Sequence, residues 1–422
     1  GMGIFDGKRY LVYGGGLSGK AAVRAVKKHG GKAKLYSDRD GVFVPPSDKL
    51  FDGAVISPGL RPSHPVYEYC ARRDIPTLSE VDIGFALADG IKTVGVTGTN
   101  GKTTVTRLIA AMIGGVACGN IGYPVSEAAL KPCAALVCEL SSFQLFSAKI
   151  APDIAVITNI APDHTDWHGS FENYCRCKCN IASDMRGGYL VLGEDIPIGA
   201  LAALDTDAQI VRCSSTAICD GAYVQDGYFC FMGNRVCPID YLRLHGAHNV
   251  KNALCAIAAA MLAGADNGAI LAALSTATPS PHRTETVGSY CGKIWIDDSK
   301  GTNVSACAAA ISETSGSVCL IAGGRGKDTD FGELFEKIDA RVIEVVAMGE
   351  TAQAIRDSAA KYAPELKVGV VNGLSDAVRA AAKSEADTVL LSPACASFDE
   401  FKNYAERGEA FQAQVRSLGR RK

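Results

Sequence analysis

The chain has 422 residues, enough at ~150 residues per domain for about three domains. Hydrophobic residues make up 47% and charged residues 21%, the balance of a soluble globular protein. A formal net charge of −2 excludes a global field for nucleic acid or an anionic membrane, and no apolar run approaches the ~20 residues of a membrane span. The opening GMGIFDGKRYLVYGGG has no signal-peptide character, and Gly1 before Met2 reads as a tag scar. The 16 cysteines lie in apolar segments such as ALVCEL and SVCLIAGG, which predicts reduced, buried thiols in a cytoplasmic protein.

In chain order, KRYLVYGGGLSGKAAVRAVKKHGGKAKLYSDRD predicts strand, glycine turn, helix and strand, and GAVISPGL a further strand. A second unit begins at KTVGVTGTNGKTTVTRLIAAMI. It continues through the strands AALVCEL and IAVITNI to a helix at NALCAIAAAMLAGA and a break at TPSPHR. A third opens with KIWIDDSKGTN and runs through VCLIAGG, VIEVVAMG and TVLLSPACASFDEF. Strands alternating with helices argue for parallel, doubly wound α/β sheets, with ligands beyond the carboxyl ends of the strands. The expected domains are 1–90, 91–281 and 282–422.

GGGLSG places Gly14, Gly16 and Gly19 in a G-x-G-x-x-G pattern after a strand, and Asp38 follows at the end of the next strand. Taken alone this suggests a dinucleotide site, the acid gripping a ribose; a ligand-free turn is the bland alternative. GVTGTNGKTT fails the strict phosphate-loop pattern, because position 96 is Val96. Yet Gly98, Gly101, Lys102 and Thr103 still sit between a strand and a helix, where backbone N–H groups can cradle phosphates. Lys102 would reach the phosphates and Thr103 would bind Mg2+. Glu139, Asp163 and His164 end neighbouring strands, the usual place for further Mg2+ ligands.

FENYCRCKCNI holds Cys175, Cys177 and Cys179 around Lys178. A zinc site wants a C-x2-C spacing and a second pair elsewhere, and on a helix residues two apart point to opposed sides. The helical stripe instead runs through Phe171, Cys175 or Tyr174, Lys178 and Ile181, which carries Lys178 inward. The alternative is a lysine that snorkels to the surface.

GVTGTNGKTT, Glu139 in CELSSFQL, TNIAPDHTDWHGS and HNVKNALCA together resemble the Mur ligase family, ATP-dependent ligases of the bacterial cell-wall precursor peptide. IDDSKGTN, GGRGKDTDF and LSPACASFDEFKNYAERG point within it to the branch that acts on UDP-N-acetylmuramoyl-L-alanine and D-glutamate. The resemblance implies a Rossmann-like N-terminal domain, a central phosphate-loop ATPase-type sheet and a Rossmann-like C-terminal domain, in a monomer that closes on its ligands. It turns the first glycine motif from NAD to a uridine diphosphate, held by Gly16, Leu17, Ser18, Asp38, Arg39, Ser57, Pro58 and Gly59. It places ATP on Gly98, Thr99, Asn100, Gly101, Lys102, Thr103, Thr104, Asn249 and Asn252, with Arg283 at phosphate and Asp298 at ribose. Two Mg2+ ions would take Thr103, Glu139, His164 and Lys178, the last as a carbamate, since CO2 adds to a neutral amine and leaves an anionic oxygen ligand. Asn120, Ser141 and Gln144 fall on the substrate side. Lys300, Thr302, Lys327, Ser397, Phe398 and Tyr404 fall to D-glutamate, with Lys300 and Lys327 supplying cations for its two carboxylates. The rivals are a sister ligase, a folate polyglutamate-type ligase, a nucleotide-binding regulator without catalysis and an NAD(P)-dependent oxidoreductase.

Overall fold

Short apolar strands that end in glycine or polar residues build three sheets in a computed structural model, which describes residues 3–46, 50–326 and 329–419. The first sheet is wholly parallel, in the order Lys32–Tyr36, Arg9–Tyr13, Gly53–Ile56, Thr77–Leu78. The second has nine strands, and the phosphate-loop strand Lys92–Thr97 lies inside it. Ala135–Glu139 flanks it on one side and Ile154–Ile157 on the other, both parallel. The chain leaves Lys92–Thr97 first toward one edge and then toward the other, so its carboxyl end sits at the point where the winding reverses. The third sheet has six strands. Lys293–Asp297, Thr388–Leu391 and Val318–Gly323 are parallel neighbours, and Glu285–Tyr290 adds antiparallel at the edge.

Packing groups the chain into two compact units: residues up to 161 with 167–277, and residues 162–166 with those from 278 on. The first two sheets share the first unit. Within it, the backbone N–H of Ser126 donates to the buried Glu80 carboxylate at 2.6 Å. Gly84 must be small there, because a Cβ would lie 2.5 Å from Val125 Cγ1.

One departure from the expected parallel sheets lies in residues 221–238. Gly221–Gln225, Tyr228–Phe231 and Asn234–Pro238 form an antiparallel meander at the edge of the second sheet. Its turns are two residues long, Asp226–Gly227 and Met232–Gly233, all at positive φ. That is the geometry whose twist matches a hairpin. All 16 cysteines are free, and most are buried, as the sequence predicts. No helix among the described residues is long and apolar enough to cross a membrane.

Candidate active site

Lys92–Thr97 runs into helix Lys102–Ile113 through a loop that only glycine can form at two points. Gly98 has φ +148°, and a Cβ would lie 1.8 Å from Thr158 Oγ1. Gly101 has φ +80°, and a Cβ would lie 2.2 Å from Asn252 Oδ1. Gly101 is also the N-cap and brings no side-chain oxygen, so the first N–H groups of the helix are left for an anion, as its dipole favours. Asn252 and Asn249 come from the first turns of helix Ala247–Leu262; Asn252 Nδ2 donates to Asn249 Oδ1 at 3.2 Å, and both are buried. The structure therefore brings Asn252 to the loop, one helical turn beyond Asn249. Asn100 is fixed from the neighbouring strand end: its N–H donates to Asn159 Oδ1 (2.9 Å), and its carbonyl accepts from Thr158 Oγ1 (2.7 Å). Thr104 is buried in the helix behind the loop.

Two lysines converge on this loop. Lys102 Nζ donates to the carbonyls of Gly98 and Thr99, both at 3.0 Å. Lys178 Nζ donates to the same Gly98 carbonyl at 2.7 Å and lies 4.6 Å from the Tyr174 ring centre. Lys178 is 1% exposed, so it does not snorkel. Helix Phe171–Ser183 buries Tyr174, Cys175, Cys177, Lys178, Cys179 and Ile181, the inward stripe of the sequence and its neighbours. At the next strand end, Thr103 Oγ1 donates to Glu139 Oε2 at 2.7 Å, and Asn120 Nδ2 to Glu139 Oε1 at 3.3 Å. A hydroxyl and a carboxylate oxygen this close, beside the uncapped helix, are hard oxygen donors of the kind Mg2+ takes. Ser141 and Gln144 cap helix Ser142–Leu145 reciprocally, Gln144 N to Ser141 Oγ at 3.2 Å and Ser141 N to Gln144 Oε1 at 2.9 Å, which accounts for their spacing without a ligand.

The second unit carries the remaining candidates. His164 has φ +50°, and its ring lies 3.6 Å from Asp163 Oδ2, which also accepts from Asn303 Nδ2. Asp298 follows the strand Lys293–Asp297; its carboxylate accepts from Ser392 Oγ (2.6 Å) and from the N–H of Thr284 (3.1 Å). Burial pushes the Asp298 carboxyl up to about 6, against the opposing pull of the Arg283 charge. Its ordinary value is 3.8, so the folded state holds the proton in a window where the unfolded chain has lost it. Stability from Asp298 is therefore full below the ordinary value and is lost as pH rises through the folded one, by ~3 kcal/mol across that range. Relative to wild type, Asp298→Asn should gain stability between pH 4.5 and pH 7 in urea unfolding; a gap that stays constant with pH would refute the shift.

The amino-acid candidates cluster at adjacent strand ends of this unit. Lys300 and Thr302 follow Asp298, and Ser397 and Phe398 follow Thr388–Leu391. Tyr404 opens helix Tyr404–Leu418 with its ring 5.9 Å from Lys300 Nζ. Ser397 is buried, whereas Phe398 and Tyr404 are exposed. Lys327 lies outside the described residues.

Residues 96–260 match the Mur ligase middle domain and 282–395 the Mur ligase glutamate ligase domain. The UDP-N-acetylmuramoylalanine--D-glutamate ligase of Latilactobacillus sakei is 36% identical over 99% of both chains. That of Caldanaerobacter subterraneus is 35% identical over 98% of this chain and 99% of its own. The chain belongs to the Mur ligase family. Among solved structures, MurF from Acinetobacter baumannii superposes with a TM-score of 0.63 at 17% identity, covering 98% of this chain and 91% of that one. MurC from Thermotoga maritima superposes with a TM-score of 0.60 at 19% identity, over 97% and 99%. Folylpolyglutamate synthase from Mycobacterium tuberculosis also reaches 0.60, at 17% identity, over 83% and 97%. These three share the α/β fold.

In this Mur ligase the N-terminal glycine turn has a distinct use of its acid. Gly14, at φ +112°, leaves no room for a Cβ, which would lie 2.3 Å from Ser57 Cβ; this packs the first turn against the Ser57–Gly59 loop. Gly16 caps helix Leu17–Lys28, with Leu17 exposed and Ser18 half-buried beside it. Asp38, however, takes Tyr13 Oη at 2.7 Å and His64 Nε2 at 3.1 Å. The Tyr13 hydrogen bond, and then that of His64, hold its carboxyl below the usual range. Burial and the same bond push the Tyr13 phenol up to about 12. Each carboxylate oxygen thus has one partner within the fold, and Arg39 beside it is exposed.

The sequence reading missed Tyr174, whose hydroxyl lies 2.9 Å from Thr99 Oγ1 while its ring faces Lys178. It also missed Asn159 behind Asn100. The signal for Asn159 was available in TNI at the end of a strand next to the phosphate-loop strand. Cys177 gains a role too: its thiol lies 3.5 Å from His168 Nδ1, and His168 Nε2 lies 2.9 Å from Ser142 Oγ.

Proposed function

We propose that the protein is an ATP-dependent ligase that joins D-glutamate to UDP-N-acetylmuramoyl-L-alanine through an acyl phosphate, a cytoplasmic step of peptidoglycan synthesis. The observation that carries this is the 36% identity to D-glutamate ligases along 99% of the chain, C-terminal unit included. The phosphate loop with its two lysines and Glu139 supports the ATP half. We further read the chain as a monomer of three domains, 1–90, 91–281 and 282–422, of which the first and last are Rossmann-like and the central one is of the phosphate-loop ATPase type.

The substrate carboxylate oxygen attacks the γ-phosphorus, the bond to the bridging oxygen of ADP breaks, and a mixed anhydride results. The D-glutamate nitrogen then attacks the acyl carbon, loses a proton, and the carbon–oxygen bond breaks to release phosphate. The phosphate-loop N–H groups and Lys102 bear the charge that spreads over the moving phosphoryl group. Lys102 reaches it by giving up the Gly98 and Thr99 carbonyls that now hold its ammonium. Thr103 and Glu139 would hold one Mg2+, and His164 with a Lys178 carbamate a second; such ions would supply charge neutralisation for the phosphate oxygens. Asn249 and Asn252 orient the adenine end, and Arg283 and Asp298 are assigned to phosphate and ribose. Gly16–Ser18, Asp38, Arg39 and Ser57–Gly59 are assigned to the uridine diphosphate. With both Asp38 oxygens engaged by Tyr13 and His64, its contribution is to shape that loop. Asn120, Ser141 and Gln144 serve the substrate side, with the capping box fixing the last two. Lys300, Thr302, Lys327, Ser397, Phe398 and Tyr404 receive D-glutamate.

Phosphate release from ATP and UDP-N-acetylmuramoyl-L-alanine should appear with D-glutamate and stay at background with L-glutamate, meso-diaminopimelate or L-lysine. Release with another amino acid would keep the mechanism and overturn the acceptor. Silence with all four, together with a saturable NADH titration, would favour the oxidoreductase.

A further inference from the structure

We propose that Arg407 is the positioning residue of the amino-acid pocket: its buried guanidinium locks together the strand-end segments that carry Lys300 and Ser397. The inference rests on the reading of this unit as the D-glutamate site.

Arg407 sits in the first turn of helix Tyr404–Leu418 and is 1% exposed, among the largest fully buried side chains of the described residues. A buried guanidinium ordinarily takes a carboxylate. This one forms no ion pair among the described residues. Its Nε donates to Ser299 Oγ (2.9 Å) and Nη2 to Ser299 O (2.8 Å), while Nη1 and Nη2 both reach Cys395 O at 3.2 Å. Asp399, Asp297 and Asp298 act on it through space. Burial pulls it down to about 10, which leaves it cationic at neutral pH.

The acceptors are informative. Ser299 directly precedes Lys300, and Cys395 lies two residues before Ser397. Ser299 Oγ passes the hydrogen bond on to the Tyr404 carbonyl at 2.7 Å. One fork therefore ties together three of the segments that bear amino-acid candidates. It also reaches a third strand end: a Cβ on Gly324 would lie 3.2 Å from Arg407 Nη1 and 2.2 Å from the Ala396 carbonyl. The same helix supports the nucleotide side of the segment. Gln412 Nε2 donates to Asp297 Oδ2 at 2.8 Å, and that oxygen also faces His282 Nδ1 at 2.7 Å. His282, Glu285 and Asp297 come close enough to suggest a metal site, but these donors already occupy the Asp297 carboxylate, so the cluster reads as a hydrogen-bonded brace. A rigid planar fork with five donors can hold two carbonyls and a hydroxyl in one geometry; an ammonium cannot.

The test compares wild type, Arg407→Lys, Arg407→Met and Ser299→Ala in full-length protein. The Arg407 variants should raise KM for D-glutamate by at least about tenfold, as losing hydrogen bonds to a charged group implies. Their KM values for ATP and for UDP-N-acetylmuramoyl-L-alanine should stay within about threefold of wild type. Acyl-phosphate formation without D-glutamate, trapped by hydroxylamine as the hydroxamate, should persist. Ser299→Ala removes one acceptor, keeps the arginine, and should move the D-glutamate KM in the same direction by a smaller factor; it carries the test if the Arg407 variants do not fold. An unchanged D-glutamate KM in folded variants would overturn the proposal. So would an equal rise in all three KM values with loss of trapping, which a general structural role produces. Absence of D-glutamate-dependent phosphate release in wild type would instead sink the reading of the reaction on which the proposal rests.

Discussion

Lys102→Met should cut kcat by ~10²–10³-fold, about 3–4 kcal/mol of transition-state stabilisation, while the protein stays folded. The folded structure shows why stability should survive. Lys102 is only part-buried, and its ammonium donates to the loop carbonyls of Gly98 and Thr99. The carbonyl of Gly98 keeps its second donor, Lys178, at 2.7 Å. The methionine stem replaces the lysine stem in length, so helix Lys102–Ile113 keeps its packing. What is lost is a cation that can follow charge onto the transferring phosphoryl group. Nucleotide binding, measured by equilibrium titration, should weaken far less than kcat falls, because the helix N–H groups and the Gly98 and Gly101 cradle remain. A kcat within threefold of wild type would remove Lys102 from the chemistry.

Much of this site was legible in the sequence because it depends on local rules. The phosphate loop shows itself through glycines whose φ values no other residue takes comfortably, set between an apolar strand and a helix. The inward direction of Lys178 follows from helical periodicity alone. Its partner does not: Gly98 O is 80 residues away, and only the pairing of Ile154–Ile157 with Lys92–Thr97 brings the helix that follows to the loop. Asp38 shows what spacing leaves out. An acid at the end of the second strand fits a ribose, and the fold adds partners that spacing does not reveal: Tyr13 and His64, 25 and 26 residues away, each engage one of its oxygens once the sheet forms. The family resemblance puts Ser141 and Gln144 on the substrate side, and their spacing also satisfies the ordinary demand of a helix start. The meander at 221–238 was announced by Asp226–Gly227 between aromatic and β-branched runs, a local signal that a search for parallel units passes over. Arg407 gave no signal of its own: a lone arginine in an amphipathic helix looks like a solvated one until Ser299 and Cys395 close around it.

Lys178→Ala should abolish turnover, by on the order of 10³-fold if a metal ligand worth several kcal/mol is lost. Short carboxylic acids such as acetate or formate should restore part of it. The rescue separates two readings that the geometry alone leaves together. As an amine, Lys178 donates to Gly98 O and would act by shaping the loop. As a carbamate, it would present anionic oxygens at the phosphate loop, the charge a second Mg2+ would require. An added carboxylate can replace the second function; it cannot replace the first, which needs a donor. Lys178→Arg provides the complementary arm. It keeps donors but cannot take up CO2, so it should be as inactive as alanine and gain nothing from acetate beyond what the vacated space admits. A second readout does not depend on activity: with ¹³C-labelled bicarbonate, wild type should show a carbamate carbon resonance that both variants lack. Cys177, one residue away, is a control, since its thiol lies against His168 and not against the loop. Cys177→Ala should loosen that contact, leave the resonance in place and preserve the response to Mg2+. Undiminished turnover by Lys178→Ala at saturating Mg2+ would end the carbamate role. Activity lost without rescue and with no labelled resonance in wild type would return Lys178 to the simpler part of a buried donor that holds the phosphate loop closed.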